Sequence, residues 1–438
     1  MRMKRGEHIR VGHYKKRGKK RLQGQWIDSP QKLKFPAFIK GLVVLCVVVA
    51  TLFSFVFLGL GAKNNITYSR HINLKPRAAE KSFIEDKKEY KSMAVIEKSS
   101  KRLLSGYNEM AKLPMASTTK IMTAILTIEH FEDLSQEFEV PEPAVGIEGT
   151  SMYLKKGEKL TIEEYLYGLM LPSANDSAVA LACLVAGSEE NFARLMNEKA
   201  KALGLTSTNF VTASGLHDEN HYTTSYDLAK LTAYAMENEK FREIVKTEKI
   251  TVRGESADKP RHLKNKQKLM NDEELISLGV EVDGVKSGFT PEAGRCLVTS
   301  AKKDDMEVIV VVLNAPDMFL SSASILKEIF EEYSMQEIVS PKKHLTTVGV
   351  MGGKEKMVNL YTGEGFRYPL TKEERSAVKT TYDYPSTLVA PFKKDQPVGE
   401  LKVLLFGETL FSTPVLTIEE VKEESIKNQF QKIVENFI

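Results

Sequence analysis

Cysteine is scarce in this chain: Cys46, Cys183 and Cys296 are the only three among 438 residues. A small secreted scaffold held by a disulfide framework needs a larger, regularly spaced set, so that class is excluded. Cys46 falls inside the apolar stretch described below, and Cys183 and Cys296 read as separate buried small hydrophobes. Tryptophan is nearly absent as well, and Trp26 stands alone in a basic tail where it reads as incidental. No zinc-protease signature occurs. His217 and His221 bracket Asp218, Glu219 and Asn220, which is not the order His-Glu-x-x-His, and Gly215 argues for a loop rather than a helix that would align them. Neither a metal nor another cofactor is expected.

Acidic residues are missing from the N-terminus. Residues 1–40 hold 13 Lys and Arg against only Glu7 and Asp28, so the remaining 398 residues carry a net −7 although the whole chain is +4. A tail of this kind either binds nucleic acid or marks the cytoplasmic side of a membrane. The next segment decides between them: Gly41 to Ala62 is a run of 22 residues without a charge. As a helix it is about 33 Å long, enough to span a bilayer core. The sequence therefore predicts a basic cytoplasmic tail over 1–40 and a transmembrane helix over 41–62. Everything beyond Lys63 is then outside a cell membrane, and no nucleic-acid partner is expected. The competing interpretation is a removable signal peptide cut near Gly59-Leu60-Gly61, but the apolar run exceeds the usual length of roughly 7–15 residues.

Residues 63–90 are polar and aperiodic and read as a linker. From there to residue 336 strand patterns flank helical ones. A hairpin is predicted from Ser92 to Met110, helical spacing at Ile121, Ile125 and Ile128, and a capping box at Thr161 and Glu164 ahead of Ile162–Leu171, which Pro172 ends. Further helical faces follow Asn175, near Asn191 to Leu203 and near Asp227 to Glu237. Strands return at Val282–Phe289, Arg295–Ala301 and Met306–Leu313, and a closing helix at Ser324–Tyr333. The pattern argues for an α+β domain over 91–336, a sheet covered by helices. Short β-prone runs punctuated by Gly and Pro predict a separate small β domain over 341–416. Apolar residues at Val421, Phe430, Ile433, Val434 and Phe437 predict an amphipathic helix over 417–438.

Ser117 and Lys120 are three residues apart at the start of a predicted helix, on one side of it. A serine hydroxyl attacks only when a neighbour takes its proton, and a desolvated lysine with a lowered pKa can do so. Alone the spacing means little, because Ser-x-x-Lys also begins at Ser29, Ser256, Ser300, Ser324, Ser340 and Ser376. Ser117 is singled out by company: Ser173-Ala174-Asn175 lies in a Pro-broken connection between helices, and Lys286-Ser287-Gly288 lies in a strand beside the buried Val-rich run. A corresponding trio in the same order, Ser-x-x-Lys, Ser-Asp-Asn and Lys-Thr-Gly, occurs in penicillin-binding proteins and class A β-lactamases. Ser173 can relay a proton, Asn175 can hold a substrate amide, Lys286 can put positive charge at a substrate carboxylate, and Gly288 leaves room for substrate backbone.

The sequence resembles the low-molecular-mass serine D-Ala-D-Ala carboxypeptidases, peptidase S11-like penicillin-binding proteins. The likeness runs through Ala116 to Thr123, Leu171 to Ala178, Ser214-Gly215-Leu216-His217, Asp283 to Thr290 with Ala293-Gly294, and, in the β region, Val389-Ala390-Pro391 and Val398-Gly399. It covers roughly residues 90–415 and implies a penicillin-binding-protein/β-lactamase-like catalytic domain. It also implies a substrate, the peptidoglycan stem peptide ending in D-Ala-D-Ala, and sensitivity to β-lactam antibiotics. The expected chemistry is acylation of Ser117 and release of the last D-Ala, with the backbone N–H groups of Ser117 and Phe289 as the oxyanion hole. Ser287, Gly288, Phe289 and Thr290 join Lys286 as substrate-binding residues. A β-lactamase-like hydrolase and a catalytically inactive wall-binding homologue are the alternatives. Three departures stand out: Ala174 replaces the family's usual Gly, Ser287 its usual Thr, and Asn314 to Lys327 lacks the arginine that relatives often carry after the strand equivalent to Met306–Leu313.

Overall fold

The run Met306–Leu313 has no polar face because it is buried on both sides. In the computed structural model, Ile309, Val311 and Leu313 pack into one core while Val308, Val310 and Val312 pack into another. Successive strand side chains point to opposite faces, so such a strand must lie between two layers. The structure describes residues 90–425 except 255, 257 and 258, together with 427 and 434. The expected tail 1–40, span 41–62 and linker, apart from its last residue, lie outside the described residues. Among the described residues no helix is long and apolar enough to cross a membrane.

The buried strand is the middle of a five-stranded antiparallel sheet. Its strands are β1 (Ser92–Glu97), β2 (Leu103–Tyr107), β3 (Glu281–Thr290), β4 (Gly294–Lys303) and β5 (Met306–Leu313), in spatial order β2-β1-β5-β4-β3. β3 is thus an edge strand, open to a ligand. One face of the sheet is covered by α1 (Lys120–His130), α2 (Ile162–Met170), α3 (Asn175–Ala186), α4 (Glu189–Ala202), α5 (Ser225–Ala235) and α6 (Glu239–Lys246), the other by α7 (Met318–Glu332). This is the α+β arrangement expected of the pattern. The capping box of α2 is present: Glu164 N donates to Thr161 Oγ1 at 3.1 Å and Thr161 N to Glu164 Oε2 at 2.8 Å.

The β region begins earlier than the sequence suggests. Ser334–Val339 follows α7 directly and pairs with Phe366–Leu370. Beyond it a six-stranded sheet runs Val378–Asp383, Pro397–Leu405, Glu408–Thr417, Met357–Thr362, His344–Met351 and Thr387–Val389. Its core includes Val358, Leu360, Val403 and Val415, with the Phe366 and Phe411 rings stacked 4.4 Å apart. The strands missed in the sequence, Phe366–Leu370 and Glu408–Thr417 among them, contain Pro369 and Pro414, which ordinarily demote a run. Arg102 ties this region to the first sheet. Its guanidinium lies over the rings of Tyr333 and Tyr368, donates to the carbonyl of Pro369 at 2.5 Å and pairs with Glu374. The helix expected over 417–438 does not start there: residues 418–424 are not helical, and the isolated bridges Phe392–Val421 and Gly353–Glu423 fasten them to the β region, because Val421 fills that core.

Candidate active site

The segment before α1 is a short 3-10 turn, Ala116–Thr119, that lifts Ser117 to the surface of a cleft while burying its neighbours. Ala116 has φ +48°, a left-handed conformation held by side-chain bonds around it. Thr119 Oγ1 donates to the Ala116 carbonyl at 2.8 Å and lies 2.7 Å from Nε2 of buried His221, whose Nδ1 accepts from Val211 N at 3.0 Å. His221 is therefore occupied in fixing the Ser117 turn, and burial pushes its pKa down to about 4. Gly215 lets this packing happen: a Cβ there would stand 2.0 Å from the Ala116 carbonyl oxygen.

Lys120 opens α1 and is wholly buried. Its Nζ donates to Ser117 Oγ at 2.9 Å, to Asn175 Oδ1 at 2.8 Å and to the Ser214 carbonyl at 2.6 Å. Burial, then the positive charges of Lys286 and Lys266, hold its pKa well below the usual lysine range. An ammonium that gives up its proton this easily, once it has lost one of those three, accepts from the Ser117 hydroxyl and is a base in position to act. Asn175 begins α3 and spends its amide on protein: Nδ2 donates to the Glu148 carbonyl at 2.8 Å. Next to it, buried Asp176 accepts from Ser151 Oγ at 2.5 Å and from the backbone of Met152 and Leu154 at 3.0 and 3.1 Å, clamping the loop that faces α3. Ser173, just after Pro172, takes φ +72° and is almost fully buried.

β3 closes the site from the other side. A Cβ on Gly288 would stand 2.8 Å from Ser117 N, so only glycine lets the strand pass this close. Lys286, 2% exposed, turns its ammonium to the Ser287 carbonyl at 2.9 Å, and burial with Lys266 nearby pushes its pKa down to about 7.

A cleft of about 630 Å³ brings together Ser117, Ser173, Ser287, Gly288 and Phe289. Lys120, Asn175 and Lys286 are buried behind its wall, and Thr290 accepts from Ala293 N at 3.1 Å in the β3–β4 turn. Two charged residues stand out among the cleft residues that the sequence left without a role. Lys266 sits in the alternating run Lys264-Asn265-Lys266-Gln267-Lys268, anchored by Gln267 Nε2 on the Gly284 carbonyl at 2.9 Å. Arg295 faces the cleft from β4. Neither has a spacing signature that could have flagged it. Cys183 and Cys296 are unpaired, and burial raises the pKa of both.

Residues 79–317 match the D-alanyl-D-alanine carboxypeptidase family, peptidase S11, and residues 333–423 match the C-terminal domain of penicillin-binding protein 5. The chain is 35% identical to D-alanyl-D-alanine carboxypeptidase DacF of Bacillus subtilis over 344 residues, which is 76% of this chain and 86% of that relative. It is 31% identical to D-alanyl-D-alanine carboxypeptidase DacC of Escherichia coli over 363 residues, 79% and 88% of the respective lengths. Among solved structures, penicillin binding protein 5 from Haemophilus influenzae superposes with a TM-score of 0.63 at 25% identity, covering 77% of this chain and 98% of that one. A match across the whole catalytic segment, around a serine whose base is already hydrogen-bonded to it, leaves one assignment: the chain belongs to the D-alanyl-D-alanine carboxypeptidase family of serine peptidases, peptidase S11.

Proposed function

We infer that this chain is a serine D-Ala-D-Ala carboxypeptidase that removes the last D-alanine from peptidoglycan stem peptides and is acylated by penicillins. The observation that carries this is the 2.9 Å bond between Lys120 Nζ and Ser117 Oγ, in buried surroundings that lower the proton affinity of the amine. Lys120 takes the hydroxyl proton as Ser117 Oγ attacks the carbonyl of the penultimate D-Ala. The oxyanion is received by the backbone N–H groups of Ser117 and Phe289, and a donor of this kind lowers the barrier by about 3 kcal/mol. The peptide C–N bond then breaks, and the departing D-alanine amine takes a proton from Lys120 relayed by the Ser173 hydroxyl. Water, deprotonated by the same lysine, hydrolyses the Ser117 ester and restores the enzyme. Asn175 holds Lys120 and the adjoining loop in place, and Lys286 supplies positive charge behind the cleft. The run 41–62 anchors the protein in the cell membrane as a single span, with tail 1–40 cytoplasmic and the catalytic domain outside, where the wall is built.

The test is mass spectrometry of a D-Ala-D-Ala pentapeptide incubated with the protein, together with fluorescent-penicillin labelling. Loss of one alanine residue and a stable label are expected. A transient label makes the chain a β-lactamase-like hydrolase, and an absent one makes it a binding module.

A further inference from the structure

The trio of motifs leaves one end of the substrate weakly held. A D-Ala-D-Ala peptide ends in a carboxylate, and the ammonium of Lys286 is buried, engaged with the Ser287 carbonyl and partly deprotonated near neutral pH. On β3, alternation sets Ser287 and Phe289 on one face. Arg295 stands directly opposite Phe289 in the antiparallel register, so its side chain rises on that same face. Its guanidinium lies 5.7 Å from the centroid of the Phe289 ring, an exposed ring on which a planar cation stacks. Ser287 is the diagonal cross-strand neighbour of Arg295, about 7–8 Å away, a gap that an arginine spans.

The charge on Arg295 is also uncommitted. Arg102, Arg194, Arg242, Arg253, Arg261 and Arg367 each pair with a carboxylate, whereas among the described residues none pairs with Arg295. A guanidinium that stays charged at every physiological pH, held over an aromatic ring at a cleft that also contains the nucleophile, is set for a bidentate anion. We propose that Arg295, with the Ser287 hydroxyl, grips the C-terminal carboxylate of the substrate, so that β4 supplies the arginine missing from Asn314 to Lys327. The proposal rests on the carboxypeptidase reading and names which carboxylate the cleft selects. Because the leaving D-alanine carries that carboxylate before and during acylation, the contact acts mainly on binding, not on turnover.

The test compares the full-length wild type with Arg295→Ala and Arg295→Lys on two peptides, one ending in D-Ala-D-Ala and one with the same sequence as a C-terminal amide. Arg295→Ala is expected to raise KM for the acid roughly 10- to 100-fold, the worth of a charge-assisted hydrogen bond, with kcat nearly unchanged. Its kinetics on the amide should match wild type, and Arg295→Lys should recover part of the loss. A melting temperature close to wild type is expected, since the side chain is exposed and makes no ion pair. Unchanged KM for the acid, or equal losses on acid and amide, would overturn the assignment to Arg295 alone. A wild-type chain that releases no D-alanine from the acid would overturn the carboxypeptidase reading and this inference with it.

Discussion

The catalytic domain and the β region bury different kinds of polar group. Around the cleft the buried set includes Lys120, Lys286, Asp176 and His221. In the β region the buried polar residues are mostly threonines: Thr362 Oγ1 donates to the Ser340 carbonyl at 2.7 Å, and Thr417 Oγ1 donates to the Lys393 carbonyl at 2.7 Å. Those hydroxyls fasten turns and cost little, since a hydroxyl with its partners satisfied is nearly neutral to bury. Burying an amine that must shed its proton is different, because desolvation works against it throughout folding. Three lysines crowd one side of the cleft, where two are buried: Lys286 and Lys266 lower the proton affinity of Lys120, and Lys266 lowers that of Lys286. The molecule thus concentrates its electrostatic strain where the serine is, and leaves the β region as ordinary packing.

The contrast breaks most visibly at Lys120. Lys120→Met keeps the volume and removes the base, so acylation by a fluorescent penicillin should slow by about 10²–10⁴-fold. The melting temperature should fall modestly, because relief from burying the amine is set against the loss of the donor to Asn175 Oδ1 and the Ser214 carbonyl. Acylation within tenfold of wild type would remove Lys120 from the role of base. The converse experiment belongs to the β region. Phe411→Ala takes away a ring stacked on Phe366 and should cost that region roughly 3–5 kcal/mol, measured by hydrogen exchange of the 334–425 strands. Acylation should be unchanged; a parallel loss would mean that the β region supports the cleft directly.

Lys286 sharpens the same contrast through pH. Its pKa is about 7 in the folded protein against an ordinary 10.5, so between those values the unfolded chain holds a proton that the folded chain lacks. Wherever the unfolded state binds more protons, stability rises with pH. The penalty is therefore full below the folded value and disappears as pH climbs through the window to the unfolded value. Lys286→Met should gain stability over wild type in denaturant titrations near pH 6 and gain little near pH 10. An equal gain at both would mean that Lys286 is not the titrating group.

How much of this was legible in the sequence follows from how local each feature is. Ser117 and Lys120 share one turn, the Thr161–Glu164 box caps one helix, and the run Met306–Leu313 betrays burial on both faces. Each is written in consecutive residues. Asn175 carries a motif, but its engagement with Lys120 and Glu148 depends on residues 55 and 27 positions upstream. Arg295 and Lys266 carry no pattern at all. One is a polar residue at the start of a strand, the other a charge in a basic run, and only the pairing of β3 with β4 and the Gln267 anchor bring them to the cleft. In the β region, Pro369 and Pro414 hid strands because a lone proline reads as a breaker until its partner strand is known.

Lys266 gives the smallest effect and the finest test of the difference between the two regions. It faces the cleft, touches neither Ser117 nor its base through any hydrogen bond in the structure, and acts only through charge, depressing both Lys120 and Lys286. Lys266→Gln removes that charge and keeps a polar side chain of similar reach. The pH–rate profile for acylation climbs as Lys120 loses its proton, so a higher Lys120 pKa must move the rising limb toward higher pH. The plateau rate should stay near wild type, since the base, the nucleophile and the oxyanion donors are untouched. A control substitution of exposed Lys402 in the β region, paired with Glu400 at 3.0 Å, should leave the limb where it was. If Lys266→Gln leaves the limb in place as well, the lowered proton affinity of Lys120 comes from burial and Lys286 without Lys266, and the charge of Lys266 serves the anionic substrate and not the base.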